Sequence, residues 1–223
     1  MLTLYNKIAN QNLERLAALS DGLFAFAMTL LVLDLHVPVR DAIHSEHGLA
    51  RALVGLTPRL VMYLMSFLTL GIFWNGQQTQ LNYFSRGNRD IAWIHIAFLA
   101  SITFMPFSTQ LLAEFITYRT ALLVYWFNIF IAGLVLYISW RYATRNDLLK
   151  DDVPLEIRRA IRRRVVFAQG LYALGAALCV IGTYWSIGFI FLIQLNYAVA
   201  PRIPVPKRWR KEEGEATVDQ RSG

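Results

Sequence analysis

Residues 15–35 read RLAALSDGLFAFAMTLLVLDL, an apolar run with charged residues only near its two ends. About 20 residues at a rise of 1.5 Å each cover the roughly 30 Å hydrocarbon core of a bilayer as one α-helix. The run has the length of such a helix, and it carries Ser20 and Asp21 close to its start. This stretch therefore predicts a membrane-spanning helix and sets the frame for the rest of the chain.

Five more apolar runs follow, and charged residues cluster between them. The whole chain is 56% apolar and 17% charged, with a mean hydropathy of +0.39. A soluble domain of this length would need charge spread along it to cover its surface. The sequence predicts an all-α polytopic membrane protein with six transmembrane helices, at about 16–35, 60–84, 91–113, 121–142, 165–184 and 187–200.

The last two spans share one apolar stretch, 165–200. One helix of this length would exceed the bilayer thickness. A tight turn around 182–188 would instead divide the stretch into two spans. The loop at 36–57 is the longest one on its side, and a short interfacial helix is expected within it at 49–56.

The positive charge is distributed unevenly between the loops. If the amino terminus is cytoplasmic, 18 of the 22 Lys and Arg residues lie inside, and the four outside are Arg40, Arg51, Arg59 and Arg119. This bias follows the positive-inside rule. It predicts a multi-pass protein of the cell membrane with both termini cytoplasmic. A transmembrane domain at 1–200 would precede a basic, disordered tail at 201–223, and the basic segments would contact anionic lipid headgroups.

Other function classes leave no trace in the sequence. The single cysteine, Cys179, rules out an intrachain disulfide and a multi-cysteine metal site. Neither a zinc-protease motif, a nucleophile motif nor a phosphate-binding loop occurs. No RNP, zinc-finger or basic-zipper pattern accompanies the basic charge. We therefore expect no enzyme activity, no cofactor, no metal and no nucleic-acid partner.

The first span carries the residues with the clearest functional interest. Gly22, Phe26, Thr29 and Leu33 form one stripe at helical spacing, with Leu30 beside it. Such a stripe suits either helix packing or a pore lining. Ser20 and Asp21 have two readings as well: a helix cap with an acid in its first turn, or ionisable chemistry that faces protein or water.

Two motifs resemble the transmembrane protein 175 family of potassium channels. The first is Arg15-x-x-x-Leu19-Ser20-Asp21-Gly22, which continues as AMTLLVL at 27–33. The second is LASITFMPFSTQLL at 99–112 in the third span, and Trp74 in the second span is a weaker third match. The family has Phe where this chain has Leu19.

The resemblance implies a cation channel in which the first helix lines the pore. A chain with a single repeat is expected to form a homotetramer. The family's constriction positions fall on Phe26, Thr29 and Leu33 of the stripe, with Leu30 adjacent. Phe26 stands where the family has a branched aliphatic residue. A structural network would hold the pore helices in place, formed by Arg15, Ser20, Asp21, Trp74 and Gln77. The family favours a histidine after the tryptophan, and here the amides Gln77 and Gln78 follow Trp74 in its place.

We read the chain as a potassium-preferring channel that has potassium ions as its permeant species. A hydrophobic constriction would act in place of the carbonyl filter of other potassium channels. The alternative is a proton-conducting channel or a secondary transporter, which needs an ionisable group deep in the bilayer. The candidates Asp21 and Asp34 lie near the ends of the first span. His95, in the third span, is expected to bond another helix.

Overall fold

The computed structural model describes residues 13–40 and 43–199, and these form an all-helical bundle. Five helical segments are long and apolar enough to cross a membrane. The chain is therefore a multi-pass membrane protein, as the sequence predicts. In chain order the helices are α1 (Leu13–Val32), α2 (Glu46–Gly55), α3 (Thr57–Asn82), α4 (Arg89–Thr103), α5 (Met105–Glu114), α6 (Arg119–Arg145), α7 (Leu155–Ala177) and α8 (Thr183–Val199).

The third span consists of two helices, because a proline interrupts it. Pro106 lies in the first turn of α5. Proline has no backbone N–H, so the carbonyl of Ile102 loses its α-helical donor there. The break falls at Phe104, and α4 and α5 together still give a 26-residue membrane-crossing segment.

The fifth span begins earlier than the sequence predicts. Its helix, α7, starts at Leu155 after Pro154, so the basic segment 158–164 is helical and does not form a link. Proline with its fixed φ favours a helix start, and arginine is a good helix former. The charged arginines lower the mean hydropathy of residues 158–164, so a prediction based on hydropathy leaves this segment out of the span. The backbone of the segment is helical all the same.

The turn between the last two helices also differs from the predicted position. A 3-10 turn at Leu178–Val180 ends α7, and α8 starts at Thr183, so the predicted turn region 182–188 lies mostly inside α8. Arg119 fixes the turn by donating from its Nη2 to the carbonyl of Val180 at 3.1 Å. The stretch is thus a helical hairpin and not one long helix. At 17 residues, α8 extends about 26 Å and is not among the five helical segments that qualify as membrane spans, so the predicted sixth span stays a prediction.

Contacts between helix ends establish which ends share a side. At one end, the chain after α3 pairs with the link before α7: the Ser85 amide donates to the Leu148 carbonyl at 2.8 Å, and Phe84 and Leu149 form a bridge. At the other end, Arg59 at the start of α3 forms an ion pair of 2.7 Å with Glu114 at the end of α5. The helices therefore alternate in direction as the topology requires.

The bundle core is apolar and well buried. Its members come from every long helix; on α1 they include Phe24, Ala27 and Leu31. A smaller apolar cluster closes the end that holds the α3–α4 and α6–α7 links, and it includes Leu16 of α1. The predicted short helix in the 36–57 loop is α2, and Ser45 caps it by accepting from the Gly48 amide at 3.1 Å. The predicted tail, 201–223, lies outside the described residues.

Candidate functional site

The first helix has one buried face and one exposed face. Leu16, Ser20, Phe24, Ala27 and Leu31 are buried against the rest of the bundle, and only 2% of Phe24 is exposed. Their spacing of three and four residues is that of one side of an α-helix. This face of α1 therefore packs against the other helices of the chain.

The predicted stripe lies on the opposite, exposed face. Phe26 is 59% exposed and Leu33 is 67% exposed, and Gly22 and Thr29 of the same stripe are exposed as well. Leu30 is partly buried, at the edge of this face. The stripe therefore does not pack against other helices of the same chain, and the interpretation of it as a helix-packing surface is wrong for a single copy.

Asp21 is anchored to the second span. Its Oδ1 atom accepts from the indole Nε1 of Trp74 and from the amide Nε2 of Gln78, both at 2.7 Å. Trp74 and Gln78 are four residues apart on α3, so they project from the same side of that helix. A carboxylate with two donors is a strong acceptor, and this pair fixes α1 against α3.

Ser20, the neighbour of Asp21, belongs to a second chain of bonds. Its hydroxyl donates to the Leu16 carbonyl at 2.9 Å and accepts from Gln77 Nε2 at 2.7 Å. Gln77 Nε2 also lies 3.2 Å from His95 Nδ1, and His95 Nε2 lies 3.1 Å from the Ser139 hydroxyl. The chain links α1, α3, α4 and α6. Because α1 begins at Leu13, Ser20 is two turns inside it, so the interpretation of Ser20 as a helix cap is wrong.

The remaining candidates sit apart from these networks. Arg15 is exposed, and within the described part of the chain it makes no hydrogen bond or ion pair. The structure thus does not join Arg15 to Asp21 inside one copy. Asp34 follows the end of α1 and lies outside the span. Burial raises the pKa of Asp34, against the opposing effect of His36 and Arg59 nearby.

Two members of the networks are missed by the sequence analysis. Gln78 has a signal that would have found it, because it lies one helical turn after Trp74. Ser139 has none, since it is an ordinary serine in an apolar span 44 residues away from His95. His95 bonds other helices, as the sequence predicts.

Comparison with known proteins places this geometry in a family. The model of the endosomal/lysosomal potassium channel TMEM175 family matches residues 15–106. A potassium channel of Chamaesiphon minutus is 32% identical over 190 residues, which are 83% of this chain and 93% of that protein. The chain belongs to the TMEM175 family. A potassium channel of Streptomyces collinus is 31% identical over 199 residues, 87% of this chain and 95% of the relative.

The fold agrees with this assignment. The crystal structure of a lysosomal potassium-selective channel TMEM175 homolog from Chamaesiphon minutus matches with a TM-score of 0.72 and 28% identity, over 84% of this chain and 97% of that one. The TMEM175 match at 15–106 spans α1, α3 and α4. It contains Ser20, Asp21, Trp74, Gln77 and His95, whereas Ser139 lies beyond it. TMEM175 proteins are a family of ion channels and not of enzymes.

Proposed function

We propose that this TMEM175 protein is a potassium channel of the cell membrane, with the α1 helices of four copies around a central pore. Two of its relatives are named potassium channels, and each aligns over more than nine tenths of its own length. Both relatives are bacterial, which supports the cell membrane as the location. Potassium is the permeant ion, and no cofactor is involved.

One observation carries this proposal: the exposed face of α1 has an ionisable side chain at its edge, which is poorly suited to lipid. Gly22, Phe26, Thr29 and Leu33 line it, and the exposed carboxylate of Asp21 lies at its edge. Asp21 is eight residues into the helix, about 12 Å from its start. An ionisable side chain at such depth is costly in hydrocarbon and faces protein or water instead. Trp74 and Gln78 donate to one of its oxygens, and a water-filled axis between copies would hydrate the exposed remainder of the carboxylate.

The ion path is expected between copies, because the interior of one copy is filled. The bundle core consists of side chains from all the long helices, and several of them have no exposed surface. The resemblance of a single-repeat chain to prokaryotic family members supports a homotetramer. Arg15, for which the described residues supply no partner within one copy, would then meet a neighbouring copy.

Phe26 is our proposed constriction. Four phenyl rings around an axis form an apolar ring that excludes water, and such rings gate by dewetting. An ion that passes must lose part of its hydration shell, and potassium loses water more readily than sodium. Thr29 and Leu33 continue the lining, with Leu30 behind it. The bonds of Ser20 and Asp21 to α3 hold the helix that carries this ring.

Both termini are proposed to be cytoplasmic. The end of the bundle that holds the α3–α4 link and the α6–α7 link also holds the arginines of α7. The positive-inside rule places that end in the cytoplasm, next to anionic headgroups.

A secondary transporter is less well supported. Apart from tyrosines and the thiol of Cys179, His95 is the ionisable side chain that is buried in the described part of the bundle. Both ring nitrogens of His95 have hydrogen-bond partners, Gln77 and Ser139. These bonds support a structural role in joining helices. Asp21 lies in the first half of the span, and Asp34 lies beyond its end.

Flux measurement tests the proposal. The purified protein in planar bilayers, with potassium on one side and sodium on the other, should give a reversal potential displaced towards that of potassium. Current should rise with ion concentration without dependence on a counter-transported ion. Flux that saturates and requires counter-transport would show a transporter. A reversal potential that follows only the proton gradient would show a proton channel.

A further inference from the structure

Five arginines from two helices line one groove at the basic end of the bundle. The groove has a volume of about 540 Å³ and lies between the end of α6 and the start of α7. Arg141 and Arg145 come from α6, and Arg158, Arg159 and Arg162 come from α7. Each helix contributes a pair at a spacing of four residues, so the charges from both helices face one space.

The charge in this groove is not compensated inside the protein. Within the described residues, none of the five arginines forms an ion pair with a carboxylate. The acid of α7, Glu156, lines a neighbouring groove with Arg163 and Arg164, and Arg159 borders both grooves. Like charges four residues apart on a helix repel each other. A cluster of this kind is therefore stabilised by an anion from outside.

The groove walls are fixed without a ligand. Trp140 of α6 is buried, and its Nε1 donates to the backbone carbonyl of Arg158 at 3.1 Å. The Nε of Arg158 donates to the Val153 carbonyl at 3.1 Å, which orients that guanidinium. The site is thus already shaped before anything binds, which lowers the entropic cost of binding.

The surroundings indicate a lipid. Tyr137 and Trp140 line the groove, and such aromatic residues mark the membrane interface. Leu155 lies at the rim and is 66% exposed, so an apolar surface adjoins the charge. A guanidinium group binds phosphate through paired hydrogen bonds. Five guanidinium groups offer more N–H donors than the oxygens of one phosphodiester can accept.

We propose that this groove binds the headgroup of an anionic phospholipid with two phosphates, in the leaflet that meets the basic end of the bundle. Its chemical class is a diphosphatidyl lipid such as cardiolipin. The two phosphates span the α6 and α7 arginines, and the acyl chains leave past Tyr137, which lies closer to the middle of the bilayer than the arginines of α6. This binding joins the two helices and does not depend on ion conduction.

The test measures lipid binding to the full-length protein in a neutral detergent. Native mass spectrometry and thermal unfolding are followed with cardiolipin, with phosphatidylglycerol and with soluble pyrophosphate. The groove variant is R145Q/R162Q, and R163Q/R164Q removes the same charge from the same basic region outside this groove. If R145Q/R162Q does not fold, the single variant R145Q replaces it, because Arg145 is an exposed residue in the last turn of α6.

We expect cardiolipin to bind the parent and to raise its Tm more than phosphatidylglycerol does. R145Q/R162Q should weaken cardiolipin binding on the order of tenfold or more, since it loses two charge-assisted contacts. R163Q/R164Q should bind as the parent does. Equal loss in both variants, or no preference for cardiolipin, would overturn the proposal. An equal effect of pyrophosphate would overturn the lipid assignment in favour of a soluble phosphate ligand.

Discussion

Thr29 lies in the middle of the exposed face of α1, and its hydroxyl hydrogen is already in use. The Oγ1 atom donates to the Phe26 carbonyl at 2.8 Å. With the hydrogen directed to the backbone, the oxygen lone pairs remain free to accept from water or to face a cation. On a face that is otherwise apolar, this oxygen is the polar group that a permeating ion would meet.

The substitution Thr29→Val tests that role. Valine keeps the shape of threonine and removes the oxygen. We expect single-channel conductance to fall by about fivefold, the equivalent of one hydrogen bond of about 1 kcal/mol, while the gating stays similar. Thr103→Val, an exposed threonine of α4 with the same type of backbone bond, is the control and should not change conductance. Unchanged conductance in Thr29→Val would remove Thr29 from the ion path.

Phe26→Ala tests the constriction. Removing four rings should widen and wet the pore, so macroscopic current rises and the preference for potassium over sodium weakens. A barrier lowered by about 1.4 kcal/mol corresponds to a tenfold rise in current. Phe127→Ala on α6, whose side chain is 54% exposed, is the matched control and should conduct as the parent does. If Phe26→Ala changes neither the current nor the ion preference at matched expression, Leu30 or Leu33 becomes the leading candidate for the constriction.

Asp21→Ala tests the anchor between α1 and α3. The variant leaves the indole of Trp74 and the amide of Gln78 without their shared acceptor. We expect the free energy of unfolding to fall by about 1–3 kcal/mol and the tetramer to dissociate at a lower temperature in detergent. Asp151→Ala, in an exposed turn, is the control. A stable Asp21→Ala tetramer with altered selectivity would instead make Asp21 an ion site.

Helix pairs in this bundle approach closely where glycine allows it. A Cβ atom on Gly133 of α6 would collide with the side chain of Gln169 of α7. A Cβ on Gly175 of α7 would meet Ile190 Cγ1 of α8 at 2.7 Å. Small residues at helix contacts let backbones pack together in membranes. The α7–α8 hairpin therefore depends on Gly175 more than on the length of α8.

Gly175→Ala is expected to loosen this hairpin. The added methyl group forces Ile190 aside, and overpacking of this kind costs about 1–3 kcal/mol. Thermal unfolding in detergent measures the loss. Gly170→Ala lies in the same helix, where an added Cβ has no neighbour within 4 Å, and should leave the Tm nearly unchanged. Equal Tm values for the two variants would show that α7 and α8 pack differently.

At the scale of the whole molecule, the alternation of helix ends fixes which loops share a side. The α3–α4 link and the α6–α7 link bond to each other, and the Arg59–Glu114 pair lies at the opposite end. Contacts of this type define two sides but do not say which one is the cytoplasm. The charge bias supports our proposal that the end with the arginines of α7 is cytoplasmic.

Cysteine labelling tests the orientation. In a Cys179→Ala background, His47→Cys reports on the loop that contains α2, and Thr217→Cys reports on the tail. A membrane-impermeant maleimide added to intact cells should label His47→Cys. Thr217→Cys should react only after the membrane is permeabilised. Labelling of Thr217→Cys in intact cells would invert the proposed topology.

Features that depend on local composition could be predicted from the sequence. Apolar run length identifies five of the helical segments as spans, because partition into a bilayer acts on each segment separately. The sidedness that the clustering of Lys and Arg indicates stays a prediction. The α1 motif with Ser20 and Asp21 also stands out by itself, since polar groups inside an apolar run are rare. The sequence prediction places the start of α7 and the turn before α8 at the wrong residues. Arginine charge and the positions of glycines indicate backbone geometry only indirectly.

Tertiary packing alone decided how the site is arranged. The partners of Asp21 are 53 and 57 residues away along the chain, on α3. The sequence does not show that these residues lie close together in space. Which face of α1 is buried follows from the way Phe24, Ala27 and Leu31 fit against other helices. The arginine groove likewise exists only because α6 and α7 pack side by side. Such contacts depend on the three-dimensional fit of side chains from distant segments, and that fit is not encoded in any single stretch of sequence.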